Sequence, residues 1–227
     1  MKDFSKKIGI ENENWLMSNR EKLVLIGLLQ CMKPKKAIEF GYHLGGSTRW
    51  LSEYSENLIT VDVNEFVNQA KKDFKNVEVW KCSTSHAISK IKEHDMHFDL
   101  AIVDADHSRN AVGEDISGLL GSTDVILMHD SYNPACRRGM LDALKNQNSH
   151  AYNLDFVQSI LKHDGLWGGF GIAWKSNDPG ISTEFLNETS SYNFLAIRSL
   201  FQLRRHLIGY KKYTKHIFQK ILSKISF

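Results

Sequence analysis

The chain has 227 residues, of which 42% are hydrophobic, and a formal net charge of +3. The last 34 residues contain eight lysines and arginines and no acidic residue, so the first 193 carry a net charge of −5. A body of this size can bury a full core, and its acidity argues against a nucleic-acid partner. Cys31, Cys82 and Cys136 are odd in number and lack C-x-x-C spacing, which indicates a reducing compartment without disulfides or a zinc site. Because no signal peptide follows Met1, we predict a cytoplasmic protein.

Helical and strand patterns alternate along the chain. Ser18 and Glu21 match a capping box, which predicts a helix that ends before Pro34. Apolar and β-branched runs predict strands at 37–40, 58–62, 76–80, 98–103 and 124–128, with amphipathic helices at 47–55, 65–73, 84–93 and 109–120. A helix that begins at Pro134 and two more strands within 152–174 complete the pattern.

This alternation predicts an α/β fold, namely a Rossmann-like, doubly wound sheet that is mostly parallel and has an antiparallel last strand. We expect three regions: a helical cap over 1–34, the main domain over 35–175, and a connector with a basic amphipathic helical tail over 176–227.

A glycine-rich turn follows the first predicted strand. It reads E-x-G-x-x-x-G-G-S from Glu39 to Ser47, and Asp62 ends the second strand 21 residues after Gly41. Glycines allow a tight turn, and a carboxylate about 20 residues further on can hold ribose hydroxyls. A dinucleotide loop would have glycine in place of His43, so that the backbone could contact a pyrophosphate. The alternative is a strand-to-helix turn without a ligand.

The turn resembles the first motif of class I S-adenosylmethionine-dependent methyltransferases, E/D-x-G-x-x-x-G-x-S. The resemblance implies S-adenosylmethionine as cofactor. Ser83, after the third strand, faces an adenine edge or caps the next helix, and the two roles are compatible. The candidate cofactor-binding residues are Glu39, Gly41, Gly45, Ser47, Asp62, Ser83 and Asp104.

Acidic and imidazole side chains follow the fourth and fifth strands. Asp104, Asp106 and His107 come after one strand, and His129 and Asp130 after the next. Carboxylates are rarely buried unless they are paired or metal-bound, and oxygen ligands favour magnesium. As alternatives, Asp104 or Asp106 caps the helix near Arg109, and Asp130 caps the Pro134 helix or pairs with Arg137.

These strand ends, together with the Cys136–Leu144 segment, resemble the macrocin O-methyltransferase group over about residues 35–175. The resemblance implies that Asp104 and Asp130 hold Mg²⁺, which chelates neighbouring oxygens of the acceptor. His129 departs from the pattern, because relatives often have a second acid there. It is therefore a candidate metal ligand, a neighbour of the metal ligands, or a base.

We therefore predict O-methyl transfer to a hydroxyl of a sugar or related small molecule, assisted by a divalent metal. His107 and His129 are the candidate catalytic bases. Two other classes stay open: a metal-independent methyltransferase or NAD-dependent oxidoreductase on the same fold, and a non-catalytic interaction protein at the membrane. His43 argues against NAD, and the retained Glu39, Gly41, Asp62, Asp104 and Asp130 argue against a scaffold without activity.

The tail, residues 194–227, is basic and amphipathic. It is expected either to lie peripherally on the anionic inner face of a membrane or to pack on the body or on a second copy in a homo-oligomer. The expected acceptors include lipid- or nucleotide-linked glycan precursors of polysaccharide biosynthesis, and a membrane location would favour a lipid-linked sugar.

Overall fold

The structure is a computed structural model that describes residues 15–158 and 168–175. The predicted tail lies outside the described residues, so the expectations for the tail, and the division into cap, domain and tail, stay predictions.

Helices and strands alternate as the sequence predicts, with bounds within about two residues of the expected ones. One predicted helix, 65–73, is instead a 3₁₀ turn, Glu65–Gln69, that continues into a single α-helical turn. The elements are α1 (Asn19–Met32), β1 (Lys36–Phe40), α2 (Gly46–Tyr54), β2 (Asn57–Asp62), α3 (Ala70–Asp73), β3 (Val77–Lys81), α4 (Thr84–Glu93), β4 (Phe98–Val103), α5 (Arg109–Leu119), β5 (Thr123–His129), α6 (Pro134–Leu144), β6 (His150–Val157) and β7 (Phe170–Lys175).

The seven strands form one sheet in the order β3-β2-β1-β4-β5-β7-β6. The first five strands of the chain pair in parallel, whereas β7 is antiparallel to both β5 and β6. The predicted Rossmann-like sheet with an antiparallel last strand is therefore confirmed. The strand order reverses between β1 and β4, and ligands of open α/β sheets bind at such a point, beyond the carboxyl ends of the strands.

Alternate residues of each central strand enter two cores, one on each face of the sheet. Ile102 and Leu127 pack with α1 and α2 on one face, and Val103 and Met128 pack with α4, α5 and α6 on the other. Because strand side chains alternate between faces, a strand that is covered on both sides is apolar throughout. The helices therefore hold the carboxyl ends of the central strands in fixed positions.

Candidate active site

The carboxyl ends of β1, β2, β4 and β5 open into one cavity of about 770 Å³. Small-molecule and cofactor sites usually measure roughly 300–1,000 Å³. The cavity is lined by the loops that follow these strands, by the start of α4 and by residues 15–17 before α1. The strand ends that carry the predicted site residues thus meet in one place.

The loop after β1 passes close to the end of β4. Gly41 has φ +98°, and a Cβ atom there would overlap the backbone carbonyl of Asp104. Gly45 has φ +78° and is the N-cap of α2, and Ser47, in the first turn of that helix, lines the cavity. Glycine at position 41 is therefore required both by backbone conformation and by close packing.

Asp62 holds the same loop from the end of β2. Its Oδ2 accepts hydrogen bonds from the backbone amides of Tyr42 (2.9 Å) and His43 (3.1 Å). Its Oδ1 accepts from the backbone and side-chain nitrogens of Asn64. Asp62 lines the cavity, so it lies where a ribose-binding carboxylate is expected, and its role in cofactor binding stays a prediction.

Glu39 does not take the position that its place in the motif suggests. The side chain is fully buried beneath the loop and is not among the residues that line the described cavity. Its carboxylate accepts hydrogen bonds from the hydroxyls of Ser47 (2.5 Å), Thr48 (2.5 Å) and Thr60 (2.9 Å). We therefore correct the expected direct cofactor contact: Glu39 ties the start of α2 to β2 and supports the loop from below.

Replacing Glu39 with glutamine should change how stability depends on pH. Burial raises the pKa of Glu39 to about 7, although the three hydroxyl hydrogen bonds oppose that shift. Glu39 ionises at a lower pH in the unfolded chain than in the folded chain. The wild type therefore loses stability as the pH rises from about 4.5 to 7. We expect Glu39→Gln to gain up to about 3 kcal/mol relative to wild type between pH 5 and pH 8, measured by urea unfolding.

Glu53→Gln, on the exposed side of α2, is the matched control for the loss of a charge. A difference between Glu39→Gln and wild type that stays constant from pH 5 to pH 8 would contradict this account of Glu39.

Ser83 is the N-cap of α4, where its hydroxyl accepts a hydrogen bond from the backbone amide of His86, and it also lines the cavity. Asp115 is a nearby residue that the sequence reasoning missed. It is 2% exposed, it lines the cavity, and its Oδ2 has no hydrogen-bond partner among the described residues. Burial raises the pKa of Asp115 to about 6.

Asp104, His107, His129 and Asp130 form a cluster at the other part of the cavity. Oδ1 of Asp104 lies 3.0 Å from Nδ1 of His129 and 3.3 Å from Nε2 of His107. Oδ2 of Asp130 lies 3.4 Å from Nδ1 of His107, and its Oδ1 lies 3.6 Å from Nδ1 of His129. Asp130 also has a positive φ of 57°, a strained conformation that is often found at functional sites.

The capping and arginine-pairing roles considered for Asp104, Asp106 and Asp130 are not found among the described residues. Ser108, not Asp104 or Asp106, caps α5, and Asn133 caps α6. Arg137 forms a bidentate ion pair with Asp155 rather than with Asp130. Asp104 and Asp130 therefore have no capping or arginine-pairing role that would explain them.

Glu21 completes the cluster and was recognised in the sequence only as part of a capping box. The capping box is present, and Glu21 is fully buried. Oε1 of Glu21 lies 3.1 Å from Nε2 of His129, so this imidazole is bound between two carboxylates. No local sequence signal could have paired residues that lie 108 positions apart.

The charges of the cluster stabilise one another. Burial would raise the pKa values of Asp104 and Glu21. Contacts with His129, joined by His107 at Asp104 and by Ser18 at Glu21, outweigh burial and lower both pKa values to about 2. Burial would likewise lower the pKa of His129, yet Asp104 and Glu21 raise it well above the usual value. The hydrogen bond with Asp104 raises the pKa of His107, and burial raises that of Asp130.

The donor set does not fit magnesium as arranged. In the described part of the chain, no group of three or more His, Cys, Asp or Glu side chains is placed to hold a metal ion. His129 donates from both ring nitrogens to carboxylates and has no free lone pair for a metal. Oδ1 of Asp104 is shared by two imidazoles. Mg²⁺ prefers oxygen ligands in octahedral geometry, which this arrangement does not present.

The two candidate bases differ in access to the cavity. The His129 side chain is 5% exposed and bonded at both nitrogens, whereas that of His107 is 48% exposed. A base must reach the proton that it removes and must have a free lone pair. The geometry therefore favours His107 over His129 as the base, and it argues against His129 as a metal ligand.

Solved structures share this architecture. The O-methyltransferase from Bacillus cereus, in complex with S-adenosylhomocysteine, is 17% identical and matches 74% of this chain and 86% of its own, with a TM-score of 0.58. TomG, an O-methyltransferase from Streptomyces achromogenes involved in tomaymycin synthesis and solved with S-adenosylmethionine, is 15% identical over 77% of this chain and 87% of its own, with a TM-score of 0.57.

An rRNA methylase from Streptococcus thermophilus, 12% identical, matches 71% of this chain and 99% of its own, with a TM-score of 0.53. The sequence matches no protein-family model and no curated protein. The particular resemblance to the macrocin group stays a prediction. The chain has the Rossmann-like fold of S-adenosylmethionine-dependent methyltransferases.

Proposed function

We propose that the protein is an S-adenosylmethionine-dependent O-methyltransferase. The observation that carries the proposal is one cavity that joins a glycine loop held by Asp62 to an accessible histidine held by Asp104. A cofactor site alone would fit several enzyme classes on this fold. The neighbouring carboxylate–imidazole pair adds the group that a hydroxyl acceptor requires.

The cavity offers suitable partners for each part of this cofactor. Asp62 is the carboxylate for the ribose, and the start of α2 at Ser47 is placed for the carboxylate of the amino-acid end. Ser83, at the start of α4, and Asp115, on α5, both line the cavity, and Asp115 can accept a hydrogen bond from the adenine amino group. His43 stands where a pyrophosphate-binding loop has glycine, so NAD fits this loop less well.

The chain's own residues supply the acceptor chemistry. S-adenosylmethionine supplies an electrophilic methyl group and leaves as a neutral thioether. In the tautomer of His107 that donates from Nε2 to Asp104, Nδ1 has a free lone pair and takes the proton of the acceptor hydroxyl as its oxygen bonds to the methyl carbon. Asp130, 3.4 Å from Nδ1, then stabilises the imidazolium.

Magnesium assistance stays a prediction, and no step above depends on a metal. The pairing of Asp104 with two imidazoles favours the metal-independent form of the reaction, because His129 and His107 already occupy its Oδ1 atom. The acceptor that we propose is a hydroxyl of a sugar or related small molecule, including nucleotide- or lipid-linked glycan precursors. The rRNA methylase with this fold shows that the fold alone does not select the acceptor.

Membrane and subunit contacts of the tail stay proposals as well. In the residues that the structure describes, no helix has the length and apolarity needed to cross a bilayer. A tail on the membrane surface would bring the cavity to lipid-linked sugars, whereas a tail packed on a second copy would not.

The proposal is tested by following labelled methyl groups from S-adenosylmethionine into a panel of nucleotide sugars, lipid-linked sugars, catechols and RNA, with Mg²⁺ or with EDTA. We expect a methyl ether to form, and to form in EDTA as well. Loss of all transfer in EDTA with full recovery in Mg²⁺ would restore the metal-assisted mechanism. Label in RNA but in none of the hydroxyl compounds would overturn the acceptor class.

A further inference from the structure

Glu21 belongs to the N-terminal helix α1, yet one of its two carboxylate oxygens contacts the active-site cluster. Oε2 accepts a hydrogen bond from the backbone amide of Ser18 (2.7 Å), which is the capping-box contact. Oε1 accepts from the backbone amide of Gly169 (2.6 Å) and lies 3.1 Å from Nε2 of His129. Capping explains Oε2 only, because Oε1 reaches the ends of β5 and β7, away from its own helix.

The imidazole of His129 is held between Glu21 and Asp104, at 3.1 Å and 3.0 Å. Ionised carboxylates accept hydrogen bonds but cannot donate them, so both ring nitrogens must donate and the ring is an imidazolium. One cation then lies between two anions, so these three groups keep one negative charge. The neutral His107 lies 3.3 Å from Asp104, and the carboxyl group of Asp130 lies 3.6 Å from His129. Glu21 is fully buried and the Asp104 side chain is 25% exposed, so that charge faces the cavity at Asp104.

We propose that Glu21 is a positioning residue of the methyl-transfer site: through His129 it orients Asp104 and leaves the negative charge of Asp104 available to a cationic sulfonium ligand. The inference rests on the proposed function and adds the N-terminal helix to the machinery of the site. Without the charge of Glu21, the cation of His129 would offset the charge of Asp104. The preference of the cavity for a positively charged ligand over a neutral one of similar shape would then weaken.

Two natural ligands differ in this charge. S-adenosylmethionine is a sulfonium cation at sulfur, whereas S-adenosylhomocysteine is a neutral thioether. The ratio of their dissociation constants therefore reports the charge at Asp104, and a merely structural role of Glu21 would shift both constants alike. The ratio also needs no knowledge of the acceptor.

The experiment is calorimetric titration of the full chain with each ligand, for wild type, Glu21→Gln and Ser18→Ala. Glutamine can still accept at Oε1 but carries no charge, and Ser18→Ala removes the serine cap while keeping the contact of Glu21 with His129. We expect Glu21→Gln to weaken S-adenosylmethionine about 3- to 10-fold relative to S-adenosylhomocysteine, as loss of one charge at short range predicts. Ser18→Ala should be less stable but should keep the wild-type ratio.

A folded Glu21→Gln protein with the wild-type ratio would overturn the inference, as would an equal change of the ratio in Ser18→Ala. If Glu21→Gln does not fold, Glu21→Met serves instead, because it has a similar length and no charge, and the same loss of preference is expected. A wild type that binds neither ligand would refute the proposed function itself. The two failures are therefore distinguishable: an unchanged ratio refutes the role of Glu21 alone, and absence of binding refutes the methyltransferase function.

Discussion

Replacing His107 with glutamine is expected to lower kcat for methyl transfer by about 10²- to 10⁴-fold, the usual contribution of a positioned general base. His107 lines the cavity, and its Nε2 lies 3.3 Å from Oδ1 of Asp104, which leaves Nδ1 as the proton acceptor. Glutamine keeps a polar side chain of similar reach but cannot take up a proton at neutral pH. The measurement is steady-state kinetics with the acceptor found in the labelled-methyl assay.

The dissociation constant of S-adenosylhomocysteine should change little in His107→Gln, because the imidazole acts on the acceptor. His94→Gln, an exposed histidine that does not line the cavity, is the matched control and should behave as wild type. A kcat for His107→Gln close to the wild-type value would show that another group removes the proton.

The second large effect is expected at Gly41. Its φ of +98° is unfavourable for any residue with a Cβ atom, and that atom would overlap the backbone of Asp104. We expect Gly41→Ala to lower the free energy of unfolding by about 2–6 kcal/mol, since backbone strain and overpacking each cost about 1–3 kcal/mol. Urea unfolding measures this loss. Binding of S-adenosylhomocysteine should also weaken strongly, since the loop and the end of β4 must move apart.

Gly27→Ala is the control for this prediction. Gly27 lies inside α1, and a Cβ atom there would meet nothing within 4 Å. Alanine in a helix interior is favoured over glycine by about 0.5–1 kcal/mol, so this variant should be slightly more stable than wild type. Equal behaviour of the two variants would contradict the packing described for Gly41.

The fold was predictable because each of its signals is local. Apolar strand runs, amphipathic helices and the Ser18 capping box each depend on residues a few positions apart, and they agree with one another. The convergence of Asp104, His107, His129 and Asp130 was predictable as well, since parallel neighbouring strands must end at the same edge of a sheet.

The partners of individual side chains were not predictable in the same way. Glu39 pairs in register with Thr60 of β2, and its carboxylate faces that hydroxyl and the start of α2 rather than the cavity. The contacts of Glu21 with His129 and Gly169 span 108 and 148 residues. A single sequence carries no local signal for such distances, and the charge state of His129 depends on them.

Calorimetric titration of the full chain with S-adenosylhomocysteine, with NAD as the control ligand, tests the central claim most directly. The account predicts binding of S-adenosylhomocysteine in the micromolar range, about −8 kcal/mol, without added metal and with no detectable binding of NAD. Absence of S-adenosylhomocysteine binding, with or without Mg²⁺, by a folded protein would contradict the proposed methyltransferase function.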